Sequence, residues 1–269
     1  MQPFFFDGCA GKLFCLYFPA QGSQNKGAVL HVPAFAEEMN KSRHMVVQQA
    51  RELAQCGYGV LLADLFGTGD SEGEFVEARW HIWQRDIGLL VDWLQRREYK
   101  DVTLWGLRLG ALLALSCVPA NPAVKQLLFW QPVINGELFS QQFLRLRLAA
   151  SMMGGGEKET VKSLKAQLDD GAPLEIAGYD LSPELFAGIA ESSMKSMSLP
   201  EGLKGLYWLE VTGPKKELAI PSQKQLSEWN DAHSLVTRSE AVEGKQFWSN
   251  QEIVWAENLI SQTTSLFSE

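Results

Sequence analysis

Two hydrophobic patterns alternate along the chain. Runs rich in apolar residues, which predict buried strands, occur at residues 27–32, 58–63, 99–105, 124–130 and 203–212, the first of them continuous. Apolar positions at helical spacing lie between and after them, at about 44–56, 76–97, 109–118, 221–232 and 251–267. Strands that alternate with helices predict an α/β fold built on a parallel sheet.

Two further strand regions bring the predicted sheet to about eight strands, most of them parallel. Residues 4–18 alternate loosely around two glycines, which predicts an antiparallel hairpin. Residues 234–242 alternate in polarity, as an edge strand does. In the closing helix we expect Ile253 and Trp255 to face the core.

The pattern changes between residues 133 and 202, where no long strand-like run occurs. Helical periodicity covers 138–153, 158–168 and 182–195, with Ser182 as a helix cap and a glycine break at 154–156. We therefore predict a core formed by residues 1–132 and 203–269, with a helical cap or lid inserted at 133–202.

Composition excludes some classes of function. The 269 residues carry a formal net charge of −8, which disfavours nucleic acid as a partner. No apolar run approaches the roughly 20 residues of a membrane span, so we expect a cytoplasmic protein. The four cysteines and four histidines lack metal-ligand spacing, so we expect no metal, and nothing in the sequence indicates a cofactor.

A Gly-x-x-x-Gly turn, residues 106–110, joins the apolar run 102–105 to a helix rich in small residues. Glycines at both ends let a strand reverse tightly into a helix, with the middle residue held at the tip. Hydrolytic enzymes that use this turn place a nucleophilic serine at its middle position. Here the middle residue is Arg108.

Polar side chains cluster after the two strands that precede this turn. We expect a charged loop at 33–43, directly after the first buried strand, and a glycine-rich acidic loop at 64–73 after the second. Ligands in open α/β sheets bind outside the carboxyl ends of the strands. The candidate ligand-binding residues are Arg108 and Leu109 of the turn, with His31, Ala34, Phe35, Glu37, Glu38 and Asp64 from the two loops and their strands.

Three stretches, 32–43, 64–71 and 106–111, together resemble the exosortase A system-associated hydrolase 2 family. The order of elements resembles the α/β-hydrolase superfamily over nearly the whole chain. The resemblance implies an eight-stranded hydrolase fold with a cap. It also implies a place beside bacterial exosortase and exopolysaccharide machinery, with a protein partner there. It implies a class of fold and leaves activity open.

A Ser-His-acid hydrolase needs a nucleophile and a base, and the sequence lacks both where the fold expects them. Arg108 replaces the serine. The loop at 244–248, which should carry the histidine, contains none, and His233 precedes the last strand. Glu217 is the candidate acid, or else an ordinary surface residue.

Arg108 admits two interpretations. A helix start attracts anions, and a guanidinium adds donors for a carboxylate or phosphate, so the turn could form an anion pocket. Alternatively Arg108 pairs with Glu37, Glu38 or Asp64 and closes the site. A cation at a helix N-terminus is unfavourable alone, so both interpretations place an anion beside it.

The sequence therefore favours a degenerate hydrolase that binds an anionic or acyl-type ligand, or a partner. An active ester or thioester hydrolase with non-triad chemistry, using residues such as His31 or Asp64, is the alternative. A purely structural scaffold is a third interpretation. In the first and third cases Arg108 is a binding or structural residue.

Overall fold

An eight-stranded sheet forms the centre of the computed structural model, which describes residues 1–22, 25–154, 159–232 and 235–268. Its strands are β1 (Gln2–Asp7), β2 (Lys12–Phe18), β3 (Gly27–Val32), β4 (Tyr58–Ala63), β5 (Val102–Leu107), β6 (Val124–Trp130), β9 (Gly205–Thr212) and β10 (Val236–Glu243). Two short strands, β7 (Leu174–Ile176) and β8 (Tyr179–Leu181), pair separately.

The strand order across the sheet is β1-β2-β4-β3-β5-β6-β9-β10. The first two strands are antiparallel, and β2 is antiparallel to β4. All pairs from β4 to β10 are parallel. The chain leaves β3 towards β4 and then returns to β5 on the other side of β3. This reversal places the switch point, where α/β sheets bind ligands, at the carboxyl ends of β3 and β5.

Eight α-helices cover the described part of the sheet and its insertion. They are α1 (Glu37–Gln55), α2 (Trp80–Gln95), α3 (Leu109–Cys117), α4 (Gly136–Gly154), α5 (Val161–Asp169), α6 (Pro183–Glu191), α7 (Ile220–Ala232) and α8 (Glu257–Ser268). Among the described residues, no helix is both long and apolar enough to cross a membrane.

Side chains of successive strand residues point to opposite faces of the sheet and build two cores. Leu30, Leu104 and Trp208 belong to the core that contains α2 and α3, which we call the α3 face. Val29 and Trp105 belong to the core that contains α1 and α8, the α1 face. The strand order, the antiparallel strands β1 and β2 and the helices on both faces confirm the predicted α/β-hydrolase fold class.

The predicted charged loop at 33–43 is wrong, because α1 already begins at Glu37. Ala36, with φ 51° and ψ −127°, turns the chain into the helix. Glu37 and Glu38 then lie in the first turn, where carboxylates interact favourably with the helix dipole. Charge density therefore marked a helix start rather than a loop.

The closing helix is shorter than predicted, since α8 begins at Glu257. Ile253 and Trp255, expected in the core, are 77% and 48% exposed. The chain before α8 bonds to α1 instead of to itself: Nε2 of His44 donates to the Val254 carbonyl at 2.9 Å. This bond engages a carbonyl that a helix beginning earlier would use within its own turns.

The segment at 133–202 contains the predicted helices as α4, α5 and α6, and in addition the β7–β8 hairpin. Each strand of this hairpin has three residues, too few for alternation to be recognised in the sequence. Gly154 ends α4, while Gly155 and Gly156 lie outside the described residues.

Ser182 caps α6, as predicted, and replacing it with alanine should destabilise the fold. Its hydroxyl oxygen accepts from Leu185 N at 3.2 Å and from Nη1 of Arg79 at 3.0 Å. Loss of a cap costs about 1 kcal/mol, a fall in melting temperature of about 2–4 °C. Ser196→Ala, at an exposed serine that bonds only its own turn, is the thermal-unfolding control. Equal melting temperatures for both variants would contradict the capping role.

Candidate functional site

The turn between β5 and α3 has the backbone of a nucleophile elbow. Arg108 holds φ 56° and ψ −120°, a conformation that costs a non-glycine residue energy. A Cβ atom on Gly106 would lie 2.3 Å from Cα of Ala111, and one on Gly110 would lie 2.2 Å from the Val32 carbonyl oxygen. Both glycines are therefore required, since α3 passes too close to β5 and β3 for any side chain.

The guanidinium of Arg108 is bound inside the protein. Its Nε and Nη2 both lie 3.1 Å from Oε1 of Glu38, and Nη1 donates to the Gln131 carbonyl at 3.4 Å. Its central carbon lies 5.4 Å from the ring centre of Trp248. Of the three acids expected near Arg108, Glu38 is the partner.

Glu38 is only partly satisfied by this pair. Its second oxygen, Oε2, is buried and has no hydrogen-bond partner among the described residues. Burial raises the pKa of Glu38, and the neighbouring charge of Arg108 opposes that rise. The pair is nevertheless mostly shielded, with 19% of the Arg108 side chain and 23% of the Glu38 side chain exposed.

An aromatic residue stands where a base would be needed. The connection after β10 contains Phe247 and Trp248, both buried against the α1 face. Trp248 is the residue of this connection that meets Arg108. His233, the nearest histidine in sequence, lies outside the described residues.

Glu217, the candidate acid, is exposed. The chain turns outward after β9 at Gly213, which places this glutamate at the surface, so its ordinary surface interpretation fits. The buried carboxylate of this region is Glu210, within β9. It accepts from Trp208 Nε1 at 2.9 Å, from Ala219 N at 2.8 Å and from the Ser222 hydroxyl, and so fixes the start of α7.

Glu210 was not among the predicted site residues, although the sequence carries a signal for it. It is a single acid inside an otherwise apolar strand, and such a residue needs buried partners. Its donors come from β9 itself and from the region where α7 begins. These protein donors explain why Glu210 can be buried without a ligand.

Aromatic side chains fill the space beside the elbow. The ring of Phe35, which follows β3, lies 5.0 Å from Phe143 and 5.8 Å from Phe139, both on α4. Phe75 at 5.4 Å and Trp83 at 6.2 Å complete the cluster. The cavity bordered by Phe35 and Leu109 has a volume of about 20 Å³. That volume admits roughly one water molecule and no acyl group.

His31 lies on the opposite face of the sheet. Its Nδ1 lies 3.1 Å from the Trp105 carbonyl oxygen, and its ring is 4.5 Å from the Trp105 ring. Burial lowers the pKa of His31 to about 3, so the ring is neutral near pH 7. It lines a cavity of about 250 Å³ between α1 and strands β2, β3 and β4, together with Ala34 and Asp64.

Asp64 binds Arg43 rather than Arg108. The two side chains form a bidentate pair, with Nη1–Oδ1 at 3.0 Å and Nη2–Oδ2 at 2.9 Å. A Cβ atom at position 69 would lie 2.0 Å from Asp64 Oδ2, so Gly69 is needed beside this pair. Arg43 also lines a second cavity, of about 420 Å³, under the β7–β8 hairpin.

Glu37 faces the hairpin. Its Oε2 accepts from the hydroxyl of Tyr179 on β8 and from Nδ2 of Asn40, each at 3.3 Å. The candidate residues thus divide into three groups. Arg108 and Glu38 form the elbow pair, Phe35 and Leu109 border the small cavity, and the remainder lie around α1 and the larger cavities.

Across the described residues, no three histidine, cysteine or carboxylate side chains are grouped so that they could hold a metal ion. Among the described residues, no hydrogen bond joins a histidine to a hydroxyl group. His31 and His44 each bond a backbone carbonyl.

The sheet order and the elbow define an α/β-hydrolase-fold protein. Residues 23–167, more than half of the chain, match the family described as serine aminopeptidase, S33, and the chain belongs to this family. A protein of Rickettsia prowazekii (strain Madrid E), RP471, is 26% identical over 137 residues. That match covers 50% of this chain and 57% of the Rickettsia protein.

Solved structures share the fold over nearly the whole chain. Est1E from Butyrivibrio proteoclasticus, solved with ferulic acid bound, is 17% identical with a TM-score of 0.67. The match covers 98% of this chain and 96% of the Est1E chain. The α/β hydrolase GrgF from Penicillium sp. sh18 is 18% identical with a TM-score of 0.63, covering 99% and 97%. Mouse α/β hydrolase domain-containing protein 10 is 14% identical with a TM-score of 0.61, covering 99% and 98%.

Proposed function

We propose that this chain is a non-catalytic member of its family that binds a ligand or a partner at the carboxyl edge of the sheet. The observation that carries the proposal is the ion pair between Arg108 and Glu38 at the elbow. A guanidinium stays protonated and cannot attack a carbonyl carbon. The pair also holds the side chain of Arg108 away from any substrate.

Two further features support a closed site. Trp248 contacts Arg108 from the connection that carries the base in hydrolases with an intact triad. The cavity between the Phe35 cluster and Leu109 has only about 20 Å³, which is too small for an acyl group. Catalysis by the usual route would need a nucleophile, a base and an open acyl pocket at the same place.

The closed elbow also bears on which ligand is bound. An anion at Arg108 would compete with Glu38, whose carboxylate already neutralises the guanidinium. An acyl-type or neutral apolar ligand is therefore favoured over an anionic one. The larger cavities near α1 offer the space that the elbow lacks.

Non-triad hydrolysis finds no support from the serines near the site. The Ser42 hydroxyl donates to the Glu38 carbonyl at 2.6 Å, and the Ser71 hydroxyl donates to the Asp64 carbonyl at 2.7 Å. Both hydroxyls are committed to the backbone, and neither bonds a histidine.

The segment at 133–202 is proposed to act as the cap of this site. Phe139 and Phe143 of α4 cover Phe35, and Tyr179 joins the β7–β8 hairpin to α1. A cytoplasmic location and a role beside exosortase and exopolysaccharide machinery, with a protein partner there, follow from the sequence resemblance and belong to the proposal. Deleting the gene in its own cells should then change the amount of exopolysaccharide produced. An unchanged amount would refute the proposed role beside this machinery.

The purified chain should show no turnover of p-nitrophenyl acetate or butyrate above a heat-inactivated sample. Arg108→Ser should also remain inactive and should not react with a fluorophosphonate probe, because no histidine side chain of the described residues bonds the elbow. A competent serine esterase, assayed in parallel, controls the reagents. Turnover by the parent chain that is lost on changing a residue of the site would refute the proposed function.

A further inference from the structure

We propose that the cavity between α1 and the sheet binds a neutral, mainly apolar molecule with one hydroxyl group, which donates to Nε2 of His31. The inference rests on the proposed function, in that it names a ligand site for a chain that binds rather than hydrolyses. The site lies on the α1 face, away from α3 and the Phe35 cluster.

The shape and lining of the cavity favour an apolar body. Its volume is about 250 Å³, and an apolar cavity of about 150 Å³ is enough to hold benzene. Most of its wall is hydrocarbon, from β2, β4, α1 and the end of β5: Phe14, Leu16, Val46, Val47, Leu62 and Leu107. A substituted aromatic ring or a medium alkyl chain fits this space.

His31 supplies one specific polar contact. Because a carbonyl oxygen can only accept, the Trp105 carbonyl at 3.1 Å places the ring proton on Nδ1. In the neutral ring the lone pair is then on Nε2, which has no partner among the described residues. Because His31 lines the cavity, a ligand hydroxyl there can donate to this nitrogen, an interaction worth about 1 kcal/mol, or about fivefold in affinity.

The other polar residues of the cavity are already engaged or lie at its mouth. Ser42 donates to the Glu38 carbonyl, and Arg43 and Asp64 bind each other. Asp70 is exposed and borders both this cavity and the second one. The mouth thus carries two carboxylates and one guanidinium, which disfavours an anionic ligand.

The mouth of the cavity leads towards the hairpin. Met39, Arg43 and Asp70 line both the 250 Å³ cavity and the 420 Å³ cavity below Tyr179. The ion pair of Arg43 with Asp64 therefore lies at their boundary. A ligand that enters from the second cavity passes this pair and reaches His31 deeper inside.

Isothermal titration calorimetry of the full chain with three matched probes tests the inference. The probes are 4-propylphenol, propylbenzene and 4-propylbenzoate. We expect the phenol to bind about fivefold more tightly than propylbenzene, the value of one hydrogen bond. The benzoate should bind at least about tenfold more weakly than the phenol, because its charge would be buried near Asp64 and Asp70 while Arg43 is already paired.

Variants assign the contact. His31→Phe should remove the preference for phenol over propylbenzene, whereas His44→Phe, at a histidine outside the cavity, should keep it. If His31→Phe fails to fold, Val46→Phe fills the cavity from α1 and should abolish binding of both neutral probes. Persistent binding in Val46→Phe would overturn the site.

Three results would overturn the inference: no binding of any probe to the folded chain, equal binding of phenol and propylbenzene, or a preference that survives His31→Phe. Turnover of p-nitrophenyl esters is measured on the same samples. Turnover would refute the proposed function alone, whereas failed binding without turnover would refute this inference alone.

Discussion

Replacing Arg108 with alanine should lower the free energy of unfolding by about 3 kcal/mol, a fall of about 6–12 °C in melting temperature. The change leaves the Glu38 carboxylate mostly buried. Its Oε1 would lose Arg108, and its Oε2 already lacks a hydrogen-bond partner among the described residues. Removing one partner of a shielded pair is costly because the other charge is left uncompensated. We expect the low end of that cost, since 23% of Glu38 is exposed.

A double-mutant cycle separates the pair from other effects of the substitution. Arg108→Met with Glu38→Leu should recover much of the stability lost by either single change, because no charge is left buried. Lys204→Ala provides the control, since Lys204 and Asp101 form a largely exposed pair whose side chains are 59% and 48% accessible. Thermal unfolding in which Arg108→Ala and Lys204→Ala shift equally would show that the elbow is not closed by this pair.

Replacing Phe35 with alanine should cost about 3–5 kcal/mol and open the space beside the elbow. Phe35 is 4% exposed and lies at the centre of four aromatic rings, two of them on α4. Its removal leaves a cavity that the sheet and α4 can close only in part. Denaturant unfolding measures the cost, and a crystal structure of the variant measures the new volume.

Phe5→Ala is the matched control, because Phe5 is 60% exposed on the edge strand β1. That variant should unfold within about 0.5 kcal/mol of the parent. If Phe35→Ala proved equally mild, the aromatic cluster would not hold the 133–202 segment against the sheet. The proposed cap would then lose its main support.

Much of the fold was predictable because it depends on local pattern. Residues 124–130 were expected as a strand, and β6 has the same bounds. The elbow was predictable too, because close approach of α3 to β5 leaves room only for hydrogen at Gly106 and Gly110. The errors fell at helix ends, at Glu37 and Glu257, where contacts from distant parts of the chain decide where a helix begins.

Sequence by itself determined which residues occupy the positions where a serine hydrolase of this fold carries its nucleophile and its base. Arg108 at the elbow and the lack of histidine in residues 244–248 are facts of composition and order. The sequence also limited the partner of Arg108 to an acid nearby. It could not choose among Glu37, Glu38 and Asp64, since each lies far from Arg108 along the chain.

Tertiary structure made that choice. Helix α1 begins at Glu37, and neighbouring helical residues point about 100° apart, so Glu38 meets Arg108 while Glu37 meets Tyr179. Asp64, which directly follows β4, is paired with Arg43 instead. The cavity beside His31 likewise forms only when α1 packs over β2, β3 and β4, because its walls come from segments distant in sequence.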